Sequence, residues 1–291
     1  MAETASQAAH PARESRLEHM PISYFAAVMG LAGLTLALHA LETHLGLGGG
    51  LSFAVLLVTV AVFAVISGFY GLKALRYPAA VAEEWHHPVR LAFFPAISIS
   101  ILLIATALRP VSADLARPIW MLGTVMQGGL TLAVVSGWIG RRPFQPMHIS
   151  PAWFIPAVGN VVVPVAGVSL GFPEISWLFF SAGVMFWIIL LTLVMNRLIF
   201  HDPLPARLFP TLMILIAPPA VAFLSWLQLN GGVVDSLARV LFYLAFVFAA
   251  IVATQARTLL SLPFAMSFWA LSFPMAALTI STFRYAGLTQ S

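Results

Sequence analysis

Residues 51–72 contain no charged side chain, and their apolar residues fall on every side of a helix rather than on one stripe. At 1.5 Å rise per residue, such a stretch reaches across the ~30 Å hydrocarbon core of a bilayer. A membrane β-strand would alternate apolar and polar with period two, so a β-barrel is excluded. Nine stretches of this kind can be read, at 22–44, 51–74, 90–108, 118–139, 151–171, 175–199, 207–229, 235–258 and 263–283. Only 8% of the 291 residues are charged and 60% are hydrophobic, whereas a soluble domain carries about 25% charged residues. The fold class is therefore an all-α polytopic membrane protein.

The polar ends set the expected orientation. Residues 1–20 carry Glu3, Arg13, Glu14, Arg16 and Glu18 and lack the apolar core of a signal peptide. They are expected to form a cytoplasmic tail, with 21–284 as the transmembrane domain and 285–291 as a short second tail. Ten basic residues (Arg13, Arg16, Lys73, Arg76, Arg90, Arg141, Arg142, Arg197, Arg207 and Arg257) fall on the side of the amino terminus. Only Arg109, Arg117, Arg239 and Arg284 fall opposite. Positive residues favour the cytoplasmic side, so the amino terminus is predicted cytoplasmic. The net charge of +4 then orients the chain, and no nucleic acid partner is implied.

Proline divides the spans into two populations. Pro95 lies in span three, Pro156 and Pro164 in five, Pro210, Pro218 and Pro219 in seven, and Pro274 in nine. Pro118 reads as the first turn of span four, where a missing N–H costs nothing. A proline inside a helix frees the carbonyl four residues back, which lipid cannot satisfy but neighbouring protein or a water-filled cavity can. The odd spans should therefore be interior and the smooth even spans should face lipid. An axis ringed by kinked inner helices, in hairpins repeating about every 50 residues, suggests a conduit.

Little inside the spans can do chemistry. His39 and Glu42 are a candidate titrating pair, three residues apart on one face of span one. Glu83, Glu84, His86, His87 and Arg90 cluster before span three; their spacing matches no zinc site, and ion pairs with Arg90 and Arg76 are expected to close that hairpin. There is no cysteine, no phosphate-binding G-x-x-x-x-G-K-[ST] motif and no nucleophile with a base. Neither an enzyme nor ATP-driven transport is expected, and no metal or cofactor. The uncharged polar residues of the odd spans are Ser98, Ser100, Asn160, Ser225, Ser267, Ser272 and Thr279. Two readings stay open for them: a weakly polar pore lining, or hydrogen bonds between helices.

Five segments carry a resemblance. They are Met20-Pro-Ile-Ser-Tyr-Phe through Gly30-Leu-Ala-Gly, Glu83-Glu-Trp-His-His-Pro-Val-Arg90, Phe154-Ile-Pro-Ala-Val-Gly-Asn160, Ala217-Pro-Pro-Ala-Val221 and Ser267-Phe-Trp-Ala-Leu-Ser-Phe-Pro-Met275. Together the chain resembles the tellurite-resistance/dicarboxylate transporter family, to which the slow-type anion channels of plants are related. The resemblance implies ten helices in five hairpins around a quasi-fivefold axis, inner odd helices lining a pore, and a homotrimer. It also implies a phenylalanine gate in the ninth helix, which falls on Phe273, with Phe268 as its competitor. The expected pore lining and kinks are Pro95, Pro156, Asn160, Pro164, Pro210, Pro218, Pro219, Phe268 and Pro274. One departure is that no tenth span follows span nine before Ser291.

The function expected is a channel or passive transporter for small inorganic or organic anions (chloride, nitrate, malate) in a bacterial inner membrane. Weakly hydrated monovalent anions should be favoured, since few fixed charges repay dehydration. A proton-linked carrier for C4-dicarboxylates, or a tellurite-resistance or efflux protein, is the alternative.

Overall fold

The computed structural model describes residues 15–140 and 144–290; Glu3, Arg13, Glu14, Arg141 and Arg142 lie outside the described residues. Every regular element in the described residues is helical. The α-helices are α1 (Phe25–His44), α2 (Gly50–Arg76), α3 (Pro78–His86), α4 (Ala96–Leu108), α5 (Ala113–Ile139), α6 (Phe154–Gly167), α7 (Pro173–Phe200), α8 (Ala217–Leu229), α9 (Ser236–Ala253), α10 (Ala256–Ser261) and α11 (Ser272–Thr289). Eight helical stretches are long and apolar enough to cross a membrane, and the fifth span, Pro151–Gly167, is a shorter apolar helix.

Each odd span is built in two pieces. A 3-10 segment comes first (Ile22–Tyr24, Arg90–Phe93, Pro151–Trp153, Phe209–Leu215 and Met266–Leu271), and the α-helix follows. In spans three, five, seven and nine the prolines explain the join. Pro95 is the N-cap of α4, Pro156 the third residue of α6, Pro218 and Pro219 the second and third of α8, and Pro274 the third of α11. At those positions the N–H has no helical partner to lose. The carbonyl four residues before Pro95, that of Leu91, accepts instead from Phe94 N at 3.3 Å. Most of these prolines thus restart a helix rather than kink its middle; Pro164, inside α6, is the exception.

Span four corrects the proline partition. Its helix starts at Ala113, five residues before the expected boundary, because Ser112 caps it by accepting from Leu115 N at 3.3 Å. Asp114 in the first turn adds a favourable interaction with the helix dipole. Pro118 is therefore internal to α5, and an even span does contain a helical proline. It is tolerated because the carbonyl it frees belongs to Asp114, an exposed residue at the water end of the helix. The ninth span also differs from its expected end, since α11 runs on to Thr289.

The inner helices close on themselves. In the order α1, α4, α6, α8, α11 each packs on the next, and α11 returns to α1; the five 3-10 segments form a matching ring at one end. Outer helices fill the external grooves: α2 lies on α1 and α4, α5 on α4 and α6, α7 on α6 and α8, and α9 on α8 and α11. Burial follows this arrangement. The third and seventh spans are 78% and 72% buried, against 17% to 33% for α2, α5, α7 and α9. The first and ninth are only 39% and 33% buried, because among the described residues no outer helix covers the α11–α1 groove.

Close approaches between helices depend on glycine. A Cβ at Gly30 would stand 2.1 Å from Ser272 Oγ, and one at Gly183 would stand 2.6 Å from Val161 Cγ1. Small residues let backbones approach where lipid supplies no hydrophobic drive for association.

Candidate functional site

The space enclosed by the ring is the candidate conduit, and α11 shows which side chains face it. Ser272 and Ala276 of α11 meet α1 at Gly30 and Gly33. Ser281 meets α8, its hydroxyl donating to Ala220 O at 3.1 Å. Met275 and Thr279 are exposed on the far side. At about 100° per residue, Phe273 falls between the α1-facing and α8-facing sectors, opposite the exposed face. Its ring is 7% exposed and lies 3.4 Å from where a Gly33 Cβ would stand. Phe273 thus occupies the inward sector of α11, at the turn where 3-10 gives way to α-helix. Phe268 sits lower, in the 3-10 segment, half-buried with its ring 5.7 Å from that of Phe264.

Most of the polar residues of the odd spans are spent between helices. Ser98 Oγ donates to Gln127 Oε1 of α5 at 2.7 Å, while Gln127 Nε2 donates to Thr131 Oγ1 at 2.9 Å and to Pro156 O at 3.0 Å. Asn160 Nδ2 completes this network by donating to Thr131 Oγ1 at 3.2 Å and to Pro156 O at 3.0 Å. The Asn160 amide is therefore turned toward outer helix α5 and away from the enclosed space. Ser100 donates to Phe25 O across the α4–α1 junction at 3.4 Å, and Ser225 to Val161 O across the α8–α6 junction. Ser272 and Thr279 bond carbonyls of their own segment, Trp269 O and Met275 O. Ser267 Oγ is buried without a partner. Of the two readings left open for these residues, hydrogen bonding between or within helices accounts for all but Ser267.

Around Pro164, carbonyls next to the interrupted ladder find donors from the neighbours, Trp120 Nε1 to Val163 O at 3.0 Å and Ser225 Oγ to Val161 O. Pro210 lies in the buried 3-10 segment that opens the seventh span.

Of the expected titrating pair, Glu42 is engaged by the start of α2 and His39 faces a cavity beside it. Glu42 is 6% exposed and accepts from Leu51 N at 2.8 Å and Ser52 N at 3.2 Å, so it caps the start of α2. The glycine turn 46–50 folds back to bring those amides within reach, with Gly46 and Gly49 at φ 69° and 74°. His39 instead lines a cavity of about 280 Å³ with Thr35, Ser52 and Leu56. Before span three, the ion pair present is neither of those expected from Arg76 and Arg90 but Lys73 with Glu84, at 3.0 Å and each 2% exposed. Glu84 also accepts from Ile22 N at 3.2 Å and Tyr70 Oη at 2.9 Å. This cluster ties the 3-10 end of span one to α2 and α3. Among the described residues no three His, Asp or Glu side chains are grouped to hold a metal.

Comparison with known proteins bears on this arrangement directly. Residues 19–291 match the family model described as voltage-dependent anion channel. The S-type anion channel SLAH3 of Arabidopsis thaliana is 29% identical over 283 residues, covering 93% of this chain and 44% of the plant protein. The tellurite resistance protein TehA homolog of Haemophilus influenzae is 28% identical over 264 residues, 90% of this chain and 80% of its own. An uncharacterized transporter of Methanocaldococcus jannaschii is 26% identical over 293 residues, 92% and 85% of the two chains. The chain thus spans less than half the length of the plant channel and most of the two prokaryotic relatives.

Proposed function

The chain belongs to the voltage-dependent anion channel family, and from that premise we propose that it conducts small anions passively through the space enclosed by α1, α4, α6, α8 and α11, with Phe273 as the gate. The observation that carries the reading is the closed ring of inner helices with Phe273 on its inward sector. A phenyl ring in a narrow apolar passage excludes a hydrated ion, and displacing or removing it opens the path. Because most of the uncharged polar residues of the odd spans are bonded between or within helices, passage depends on weak contacts. Chloride and nitrate should therefore pass more easily than strongly hydrated anions, and malate less easily than either.

The use of Glu42 as a helix cap speaks against a proton-linked carrier, because it removes the carboxylate such a carrier would titrate. The chain is proposed to reside in a bacterial inner membrane with its amino terminus cytoplasmic, as a homotrimer with one conduit per subunit. The test is current through purified protein in planar bilayers, wild type against Phe273→Ala, under chloride, nitrate and malate gradients. Conductance that rises in the variant and reverses with the anion gradient supports the reading. Silence in both, with proton-dependent malate uptake by vesicles, would replace it with the carrier.

A further inference from the structure

A cavity of about 280 Å³ lies where outer helix α2 begins, lined from α1, α2 and the end of α4. Two clasps between α1 and α2 bracket it. Toward the middle of α1, the Thr35 and Thr59 hydroxyls lie 3.2 Å apart. About 10 Å further along the helix, the Glu42 carboxylate holds Leu51 N and Ser52 N. Between the clasps, the turn at Gly48 and Gly49 and the small side chain of Ala107 leave space unfilled. Leu36 and Leu56 give it apolar walls, and Phe53 and Val111, 44% and 56% exposed, stand at its rim, so it opens on the outer surface of the bundle. Its polar groups are unequally committed. The Thr35 hydroxyl donates to Leu31 O at 2.9 Å and that of Ser52 to Gly49 O at 3.1 Å. The His39 ring, one turn beyond Thr35 on the same wall, hydrogen-bonds nothing among the described residues; Thr43 Oγ1 donates only to its carbonyl, at 2.7 Å.

A neutral imidazole carries one N–H donor and one bare nitrogen acceptor, which matches a hydroxyl, a group that both donates and accepts. A charged ligand fits less well. An anion would meet Glu42, one turn along α1, and a cation would find that carboxylate already held by two amides and the remaining wall apolar. An apolar cavity of about 150 Å³ accommodates benzene, so one of about 280 Å³ suits a molecule of about ten heavy atoms. We propose that the cavity binds a neutral alcohol of that size dissolved in the bilayer, its hydroxyl on His39 and its apolar body between Leu36, Leu56 and Phe53. The site does not depend on the conduction reading. It lies on another face of α1, which presents Gly30 and Gly33 to α11 but Thr35 and His39 to the cavity beside α2.

The test is photolabelling of the purified full chain in lipid nanodiscs with a diazirine-bearing octanol, followed by peptide mapping. Labelling should saturate on α1 and α2 around His39, and unlabelled 1-octanol should displace it where ionised octanoate does not. His39→Phe keeps a ring in place and removes the hydrogen bond, so half-saturation should need about fivefold more probe. Ala107→Leu, which fills the space, and Val111→Trp, which covers the rim, should each abolish saturable labelling. Val111 is exposed, so its variant tests the site should Ala107→Leu fail to fold. Label spread over the lipid-facing helices in proportion to their exposure would mean that acyl chains fill the cavity, and would overturn the proposal. Displacement by octanoate as readily as by octanol, equal half-saturation in wild type and His39→Phe, or saturable labelling that survives Val111→Trp would overturn it too. The readout needs no current, so a protein silent in bilayers can lose the conduction reading and keep the site.

Discussion

The buried pair at the 3-10 end gives a prediction with a calculable size. Glu84 and Lys73 are each 2% exposed and 3.0 Å apart. Glu84 also holds Ile22 N and Tyr70 Oη, and Lys73 also donates to Met20 O at 2.8 Å. In Glu84→Leu the ammonium stays buried with only the Met20 carbonyl and the face of the Tyr70 ring beside it, and breaking a buried pair from one side costs about 3–5 kcal/mol. Adding Lys73→Met removes the stranded charge, so the double variant should recover much of that loss. It should not recover all, because Ile22 N–H and Tyr70 O–H remain unpaired at about 1–3 kcal/mol for such groups. The assay is reversible unfolding in mixed micelles for wild type, both singles and the double, with hydrogen exchange at Ile22 as a local readout. A coupling of about 2 kcal/mol or more between the two sites is expected. If Glu84→Leu falls within ~1 kcal/mol of wild type, or the single losses simply add, the pairing has been misjudged.

Three other perturbations test separate parts of the account. Gly183→Val should cost about 1–3 kcal/mol in thermal unfolding, because the new Cβ meets Val161 Cγ1 and backbone, whereas Gly71→Val on the outer face of α2 meets nothing and should be neutral. Gln127→Leu should cost a similar ~1–3 kcal/mol, measured the same way, since it removes the amide that joins Ser98 of α4 to Pro156 O of α6 and leaves Ser98 only its bond within α4. His87 Nδ1 accepts from Val89 N and Arg90 N, and burial, then the Arg90 charge, lower its affinity for a proton. A depressed value means the neutral ring stabilises the fold, with the full contribution present above the ordinary histidine value near 6.5 and lost as pH falls below it. Amide exchange at Val89 and Arg90, corrected for intrinsic rates, should therefore quicken as pH is lowered from about 7 to 5, and His87→Gln should remove that dependence.

The spans were legible because nothing but a bilayer explains charge-free runs of this length, and the inner positions of α4, α6 and α8 followed from the cost of proline in lipid. What apolarity could not locate was the start of α5. Asp114 and Arg117 pulled that boundary inward, although Ser112 followed by Asp114 was a readable cap. Proline position was visible but not its local effect, since 3-10 pairing before Pro95 depends on backbone geometry that composition does not carry. The direction of polar side chains was the least legible. Asn160 and Ser98 could equally have faced the conduit or a neighbour, and only the placement of Gln127 on α5 decides it. Choosing Glu84 over Glu83 as the partner of Lys73 likewise needed the α2–α3 angle. Phe273 was singled out as the proposed gate only through the motif around Pro274; its inward sector on α11 is a matter of helical geometry.

The proposed passage of anions inside the ring, blocked by Phe273, is read by single-channel recording in planar bilayers under asymmetric nitrate. Phe273→Ala should raise open-channel conductance well above wild type, with the reversal potential tracking the nitrate gradient and unaffected by the cation. Equal conductance in the two proteins, or a reversal potential that follows the cation, would place the path or the gate elsewhere.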